Sequence, residues 1–176
     1  MKRIAIDMDE VMADTLAHFL EKYNNRFGVG LKTEHFHGKH VFEVITEEHK
    51  PTAYDYFQQE TFFATIPVMQ DSVDVIRALT KQYDVFITTA AMDVPCSFTP
   101  KFEWLQRHFP FIPTSNIVFC GDKSIILADY LIDDNLRQLN KFHGEGIVYT
   151  APHNVNETRF RRVNNWKDVR SMFLTA

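Results

Sequence analysis

Apolar runs that stop in acids, amphipathic helical stripes between them, and the loss of strand signal over residues 28–67 predict an α/β protein. The expected architecture is a doubly wound, mostly parallel sheet with a small helical cap inserted after the first strand. Residues 2–7 open the pattern, because Ile4, Ala5 and Ile6 are apolar in succession, as in a parallel strand covered on both faces, and Asp7 ends the run. A helix follows at 14–27, with Leu16, Phe19, Leu20, Tyr23 and Phe27 at three- and four-residue spacing and Gly28 as its stop. Aromatics then accumulate (Phe36, Phe42, Tyr54, Tyr56, Phe57, Phe62, Phe63), and Pro51 suits the first residue of a short helix. This stretch is the expected cap; with the preceding helix it makes an insertion at 15–67, between core segments 1–14 and 68–176.

Alternation resumes after Pro67. Helices are expected at 72–81 (Val73, Ile76, Leu79), 100–108 and 136–142, and strands at 84–88, 117–119, 130–133 and 147–149. Residues 151–157 read as the one linker-like stretch, leading to a last helix at 166–174. No repeat or low-complexity segment is visible.

Composition narrows the function classes. A chain of 176 residues with 45% hydrophobic residues can bury a core without disulfides, and its two cysteines, Cys96 and Cys120, are too few for a disulfide scaffold or a four-cysteine zinc site. They read as buried thiols in a reducing compartment, and the expected location is the cytoplasm. The apolar runs fall short of the about 18 residues that a membrane span needs. Lys plus Arg number 19 against 23 acids, net charge −4, so no basic field exists for a nucleic-acid polymer. The expected partner is a small molecule, and the sequence leaves the choice between monomer and homodimer open.

In doubly wound sheets ligands bind beyond the carboxyl ends of the strands. Those ends carry Asp7-Met8-Asp9, Thr88-Thr89, Cys120-Gly121-Asp122-Lys123 and Asp133-Asp134. Carboxylates, hydroxyls and an ammonium are what an aspartate-nucleophile phosphotransferase needs: a hard divalent cation takes oxygen ligands, and phosphoryl oxygens need a donor and a fixed positive charge.

Taken in order, Asp7 to Asp14 (DMDEVMAD), Ile87-Thr88-Thr89, Asp122-Lys123 and Leu131-Ile132-Asp133-Asp134 resemble the four motifs of the haloacid dehalogenase superfamily. Within it they are most similar to the 5'(3')-deoxyribonucleotidases, and the ending Asn165-Trp166-Lys167-Asp168-Val169 shares that likeness. The resemblance implies a Rossmann-like core and a Mg²⁺-dependent phosphomonoesterase acting on deoxyribonucleoside monophosphates. It implies Asp7 as nucleophile and Asp9 as general acid and base, with Thr88, Thr89 and Lys123 on the phosphate. Asp7, Asp134 and the Asp9 main-chain carbonyl would hold the metal, with Asp133 behind them. Glu10 stands where such families usually have Gly, and Gly121 where mammalian-type nucleotidases carry Arg. The alternative substrate is another small phosphate ester, such as a sugar phosphate or phosphoglycolate; a silent binding protein on the same fold is a third reading. A dehalogenase fits less well, since a departing halide needs no proton from Asp9. His35, His37 and His40 lack a cysteine or acid partner and are expected on the polar cap surface. Among the aromatics, Phe42 and Phe63 are the candidates to face the substrate.

Overall fold

The structure, a computed structural model, describes residues 1–174. Six strands form one sheet: β1 (Arg3–Asp7), β2 (Asp84–Thr89), β3 (Ile117–Phe119), β4 (Tyr130–Asp133), β5 (Glu145–Tyr149) and β6 (Arg161–Val163). They lie in the order β3-β2-β1-β4-β5-β6, and every pairing is parallel.

The apolar run of β1 has the expected cause. Ile4, Ala5 and Ile6 are fully buried, with Ile4 and Ile6 in the larger hydrophobic cluster and Ala5 in a separate one with Leu131, Leu139 and Val148. One strand thus feeds apolar layers on both faces, so polarity appears only where it ends. Chain order reverses at β1, which lies between β2 and β4, and Asp7 is registered against Thr88. This is the switch point at which such sheets open a crevice.

Helix α1 (Thr15–Phe27) starts one residue later than its periodicity suggests, because Asp14 is its cap, accepting a hydrogen bond from the Ala17 amide. Gly28 ends it at φ 65°, a left-handed conformation that glycine adopts without strain. Residues 28–67 hold no strand; they form α2 (Val41–Val44), α3 (Lys50–Tyr56) and α4 (Glu60–Ala64) with 3-10 turns between them. The chain leaves the sheet and returns side by side: the Asp14 amide donates to the Pro67 carbonyl at 2.9 Å and the Met69 amide to the Met12 carbonyl at 2.7 Å. Phe36, Phe62 and Phe63 belong to the same buried cluster as Ile4 and Ile6. The indole of Trp104 also donates to the Ile66 carbonyl at 2.7 Å.

The remaining helices are α5 (Ser72–Leu79), α6 (Phe98–His108), α7 (Leu136–Lys141) and α8 (Trp166–Leu174). None of the described helices is long and apolar enough to cross a membrane. Two expectations are corrected. Strand β6 was not anticipated, because Arg161-Arg162 lacks an apolar run; it pairs only with β5, at the sheet edge. The stretch read as a linker is a packed turn, with Asn154 1% exposed and donating to the carbonyls of Asp134 and Tyr149. Its polar residues satisfy the backbone beneath the strand ends.

Candidate active site

Asp7 lies at the carboxyl end of the central strand, 7% exposed. One residue past the registered pair Ile6 and Ile132, Asp133 comes level with it, and Asp134 follows. Carboxylate oxygens of Asp7, Asp133 and Asp134 lie within 4.8 Å of one another. The Lys123 ammonium, 1% exposed, donates to Asp7 Oδ1 and, at 2.6 Å, to Asp133 Oδ2. Asp133 Oδ1 is occupied as well, accepting from the Asn135 amide at 2.8 Å. Lys123 reaches this position because Gln138 on α7 grips its loop, accepting from the Lys123 amide at 3.0 Å and donating to the Gly121 carbonyl at 3.1 Å.

Three carboxylates around one ammonium leave an excess of buried negative charge. Burial, opposed by Lys123, pushes Asp7 up to about 7, and burial together with Asp7 and Asp133 raises Asp134 well above the ordinary carboxylate range. Burial works against the Lys123 charge, yet Asp7 and Asp133 hold its pKa above the usual lysine value. The donor set is all hard oxygen with surplus negative charge, and it fits a small divalent cation. Asp134 is the carboxylate best placed to serve one, since among the described residues only His153, at 3.4 Å, stands against its oxygens.

Asp9 is held separately. Its Oδ2 receives the Lys101 ammonium at 2.5 Å and its Oδ1 the Thr15 hydroxyl at 3.1 Å. Lys101, on α6 and only 4% exposed, also donates to Thr89 Oγ1 at 3.3 Å. A single buried lysine therefore ties the ends of β1 and β2 together. Thr88 is fully buried, its hydroxyl directed at the Ile6 carbonyl 3.5 Å away. Between Met8 and Ala13 the chain turns tightly, with the amides of Met12 and Ala13 converging on the Met8 carbonyl. Glu10 takes φ 58° in that turn, the conformation that favours glycine, and its carboxylate accepts from the Leu16 amide at 2.6 Å. Burial raises Glu10 to about 8.

A cleft of ≈ 260 Å³ opens beside these residues. Asp134, Glu10 and Thr15 lie along its floor, and Phe19, Phe36 and Phe57 supply aromatic wall. Phe42 and Phe63, the aromatics singled out from sequence, are not among its lining residues. Phe63 is buried with its ring 5.4 Å from Lys101 Nζ, and Phe42 leans on Tyr54 and Phe57. At one end of the cleft His40 stacks on His153, ring centres 5.0 Å apart, and the Gly38 amide donates to the Pro152 carbonyl at 2.9 Å. His35, His37 and His40 are all exposed, and none joins a metal-ligand cluster among the described residues.

The structure thus brings Asp7, Lys123, Asp133 and Asp134 into one knot and sets Asp9 and Thr89 beside it on Lys101. Sequence reasoning missed Lys101, Gln138 and His153. For Lys101 the one available signal was a lysine among the aromatic neighbours Phe98, Phe102 and Trp104 of a helix.

A family model described as "5' nucleotidase, deoxy (Pyrimidine), cytosolic type C protein" matches residues 1–176. The chain is 50% identical over 173 residues to a Staphylococcus aureus protein named "Putative 5'(3')-deoxyribonucleotidase", covering 98% of this chain and 96% of that one. It is 39% identical over 176 residues to the 5'(3')-deoxyribonucleotidase of Bacillus subtilis, covering 98% of this chain and 99% of the relative. Among solved structures, D,D-heptose 1,7-bisphosphate phosphatase from Burkholderia thailandensis superposes with TM-score 0.60 at 11% identity over 100% of both chains. A Bacillus subtilis protein described as a HAD-hydrolase, solved with magnesium, does so with TM-score 0.62 at 12% identity, covering 99% of each chain. At such identities these two establish the fold.

Proposed function

Because the chain belongs to the 5' nucleotidase, deoxy (Pyrimidine), cytosolic type C family and is a phosphoric monoester hydrolase, we propose that it hydrolyses deoxyribonucleoside monophosphates through an aspartyl-phosphate on Asp7. The observation that carries this reading is the Asp7 carboxylate, fixed by a buried lysine at the end of the central strand and clustered with Asp134, which lines a cleft with an aromatic wall.

An Asp7 oxygen attacks phosphorus and the bond to the ester oxygen breaks, while Asp9 gives the departing oxygen its proton. Water then attacks the phosphorus of the acyl-phosphate, Asp9 takes a proton from it, and phosphate leaves with Asp7 regenerated. Lys123 and the Thr88 and Thr89 hydroxyls bind phosphoryl oxygens and offset the charge that builds on them. Asp7, Asp134 and the Asp9 carbonyl would hold Mg²⁺, and Asp133 orients Lys123 from behind. The cation, when bound, neutralises charge so that an anionic carboxylate can approach an anionic ester. Residues 15–67 act as the cap that covers the leaving group, and the protein works in the cytoplasm, in keeping with its two free cysteines.

Rapid quench of Asp9→Asn separates the two carboxylates. With a nucleotide the alkoxide is a poor leaving group and phosphorylation should slow by roughly 10² or more. With p-nitrophenyl phosphate the first step should largely survive, giving a burst of p-nitrophenol and then slow turnover. Equal impairment of both substrates without a burst would overturn the assignment of Asp9.

A further inference from the structure

Glu10 is the unexplained group of the site. It occupies a left-handed turn where glycine would fit without strain, so the side chain is kept at a conformational cost. One of its oxygens is used, accepting from the Leu16 amide at 2.6 Å at the start of α1. The other has no hydrogen-bond partner among the described residues, and Glu10 lines the cleft. Several of its polar neighbours are engaged elsewhere. Thr15 donates to Asp9, the Asn135 side chain accepts from the Arg137 amide, and Asp134 is reserved for the metal by the reading above. The rings of Phe19 and Phe57 line the same cleft. Beside Glu10 the cleft therefore suits a leaving group with one flat apolar part and one neutral group, such as a hydroxyl, that can hydrogen-bond its free oxygen.

We propose that Glu10 is a specificity residue whose free carboxyl oxygen is hydrogen-bonded to the sugar hydroxyl that is not esterified: the 3'-hydroxyl of a 5'-monophosphate, or the 5'-hydroxyl of a 3'-monophosphate. This rests on the nucleotidase reading and adds to it a residue that reads the sugar. Fixed to α1 through Leu16, the carboxyl group cannot turn away from the cleft without freeing that amide, so an analogue lacking the hydroxyl covers the free oxygen without pairing it.

The test compares kcat/KM for a 2'-deoxynucleoside 5'-monophosphate, its 2',3'-dideoxy analogue and p-nitrophenyl phosphate, all with Mg²⁺, in the natural protein, Glu10→Gly and Glu10→Gln. The natural protein should favour the hydroxyl-bearing nucleotide over the dideoxy analogue by roughly 10-fold or more. Glu10→Gly, which suits the backbone, should bring that ratio to within about 2-fold of unity. Glu10→Gln keeps an acceptor for Leu16 but presents an amide to the cleft, and should fall between them. If the natural protein shows no preference, or Glu10→Gly retains it, the assignment of Glu10 is overturned while the nucleotidase reading stands. If neither nucleotide is hydrolysed better than p-nitrophenyl phosphate, the nucleotidase reading falls and the Glu10 assignment with it.

Discussion

The charged cluster beside the cleft, which with Asp134, Glu10 and Thr15 makes the polar floor of the site, and the aromatic wall are built by opposite means. On the floor the charges are held by directional bonds: Lys123 bonds Asp7 and Asp133, Asp133 also bonds the Asn135 amide, and Asp9 sits between Lys101 and Thr15. The wall is held by ring packing, with Phe57 stacked on Phe19 of α1 at 5.5 Å and edge-on to Phe62 of the short helix α4 at 5.0 Å. Charges in a low-dielectric site act strongly only if their geometry is fixed, whereas apolar packing is non-directional and tolerates repacking. Changes at Lys123 should therefore affect every phosphoester alike, changes at Asp9 and Lys101 should weigh on esters whose leaving group needs a proton, and changes on the wall should depend on the leaving group's shape.

Lys123→Met breaks the floor most severely. It removes the only cation bonded to Asp7 and Asp133 among the described residues. Hydrolysis of nucleotides and of p-nitrophenyl phosphate should fall together, by roughly 10³ or more. Losing one partner of a buried ion pair also costs about 3–5 kcal/mol of stability where the remaining charges persist. A variant that lost nucleotide activity but kept p-nitrophenyl phosphate turnover would place Lys123 on the leaving group and erase the distinction between floor and wall.

Lys101→Met should act more narrowly. Lys101 touches Asp9 and Thr89 and positions them. Nucleotide turnover, which by the proposed mechanism draws a proton from Asp9, should fall about 10-fold or more, and p-nitrophenyl phosphate turnover should fall less. Lys101→Arg, which keeps the charge, should recover part of the loss. Equal losses with both substrates and no recovery in the arginine variant would make Lys101 a general support of the fold.

How much of this was legible in sequence follows the same division. The floor could be read because a strand buried on both faces is apolar until it ends, so Asp7, Thr88 and Asp133 stood out after Ile4 to Ile6, Ile87 and Ile132. Lys101 could not, since a lysine on an amphipathic helix reads as solvated and only the approach of α6 to the end of β1 buries it. Gln138 and His153 were hidden likewise, for each serves a loop close only in space. The wall was legible as a class and not as residues. Its aromatics share one composition signal, and helix orientation put Phe57 into the cleft while Phe63 went under Lys101. Strand β6 escaped because an edge strand of three residues needs no apolar run.

The floor's surplus charge should also show in stability. In metal-free protein, Asp7 at about 7, Glu10 at about 8 and the raised Asp134 hold protons that the unfolded chain, with carboxyl pKa values near 4, has already lost. A folded pKa above the unfolded one means that stability falls as pH rises between roughly 4 and 8. Asp122 and Glu157, held below their ordinary values by hydrogen bonds from Lys141 and Arg159, act in the opposite sense but only on the acid side of that window. Calorimetry in EDTA should give a Tm several degrees lower at pH 8.5 than at pH 6, with Mg²⁺ closing the gap. A Tm that rises with pH in EDTA would mean that the carboxylates are not packed as described.

The smallest effect expected is Phe57→Leu, and it sharpens the comparison from the other side. Phe57 is half-buried, lines the cleft and stacks on Phe19. Leucine keeps apolar volume but loses the flat face, removing ring stacking worth about 0.5–1.5 kcal/mol, or roughly 2- to 10-fold in binding. That loss should fall on KM for nucleotides rather than on kcat, because the base is held alike in the ground and transition states. p-Nitrophenyl phosphate, whose ring departs from a position nearer phosphorus, should respond less, so the ratio of the two kcat/KM values is the quantity to follow. A fall in kcat for both substrates would show Phe57 supporting Asp9 or Lys101 from behind, and would make wall and floor one mechanical unit.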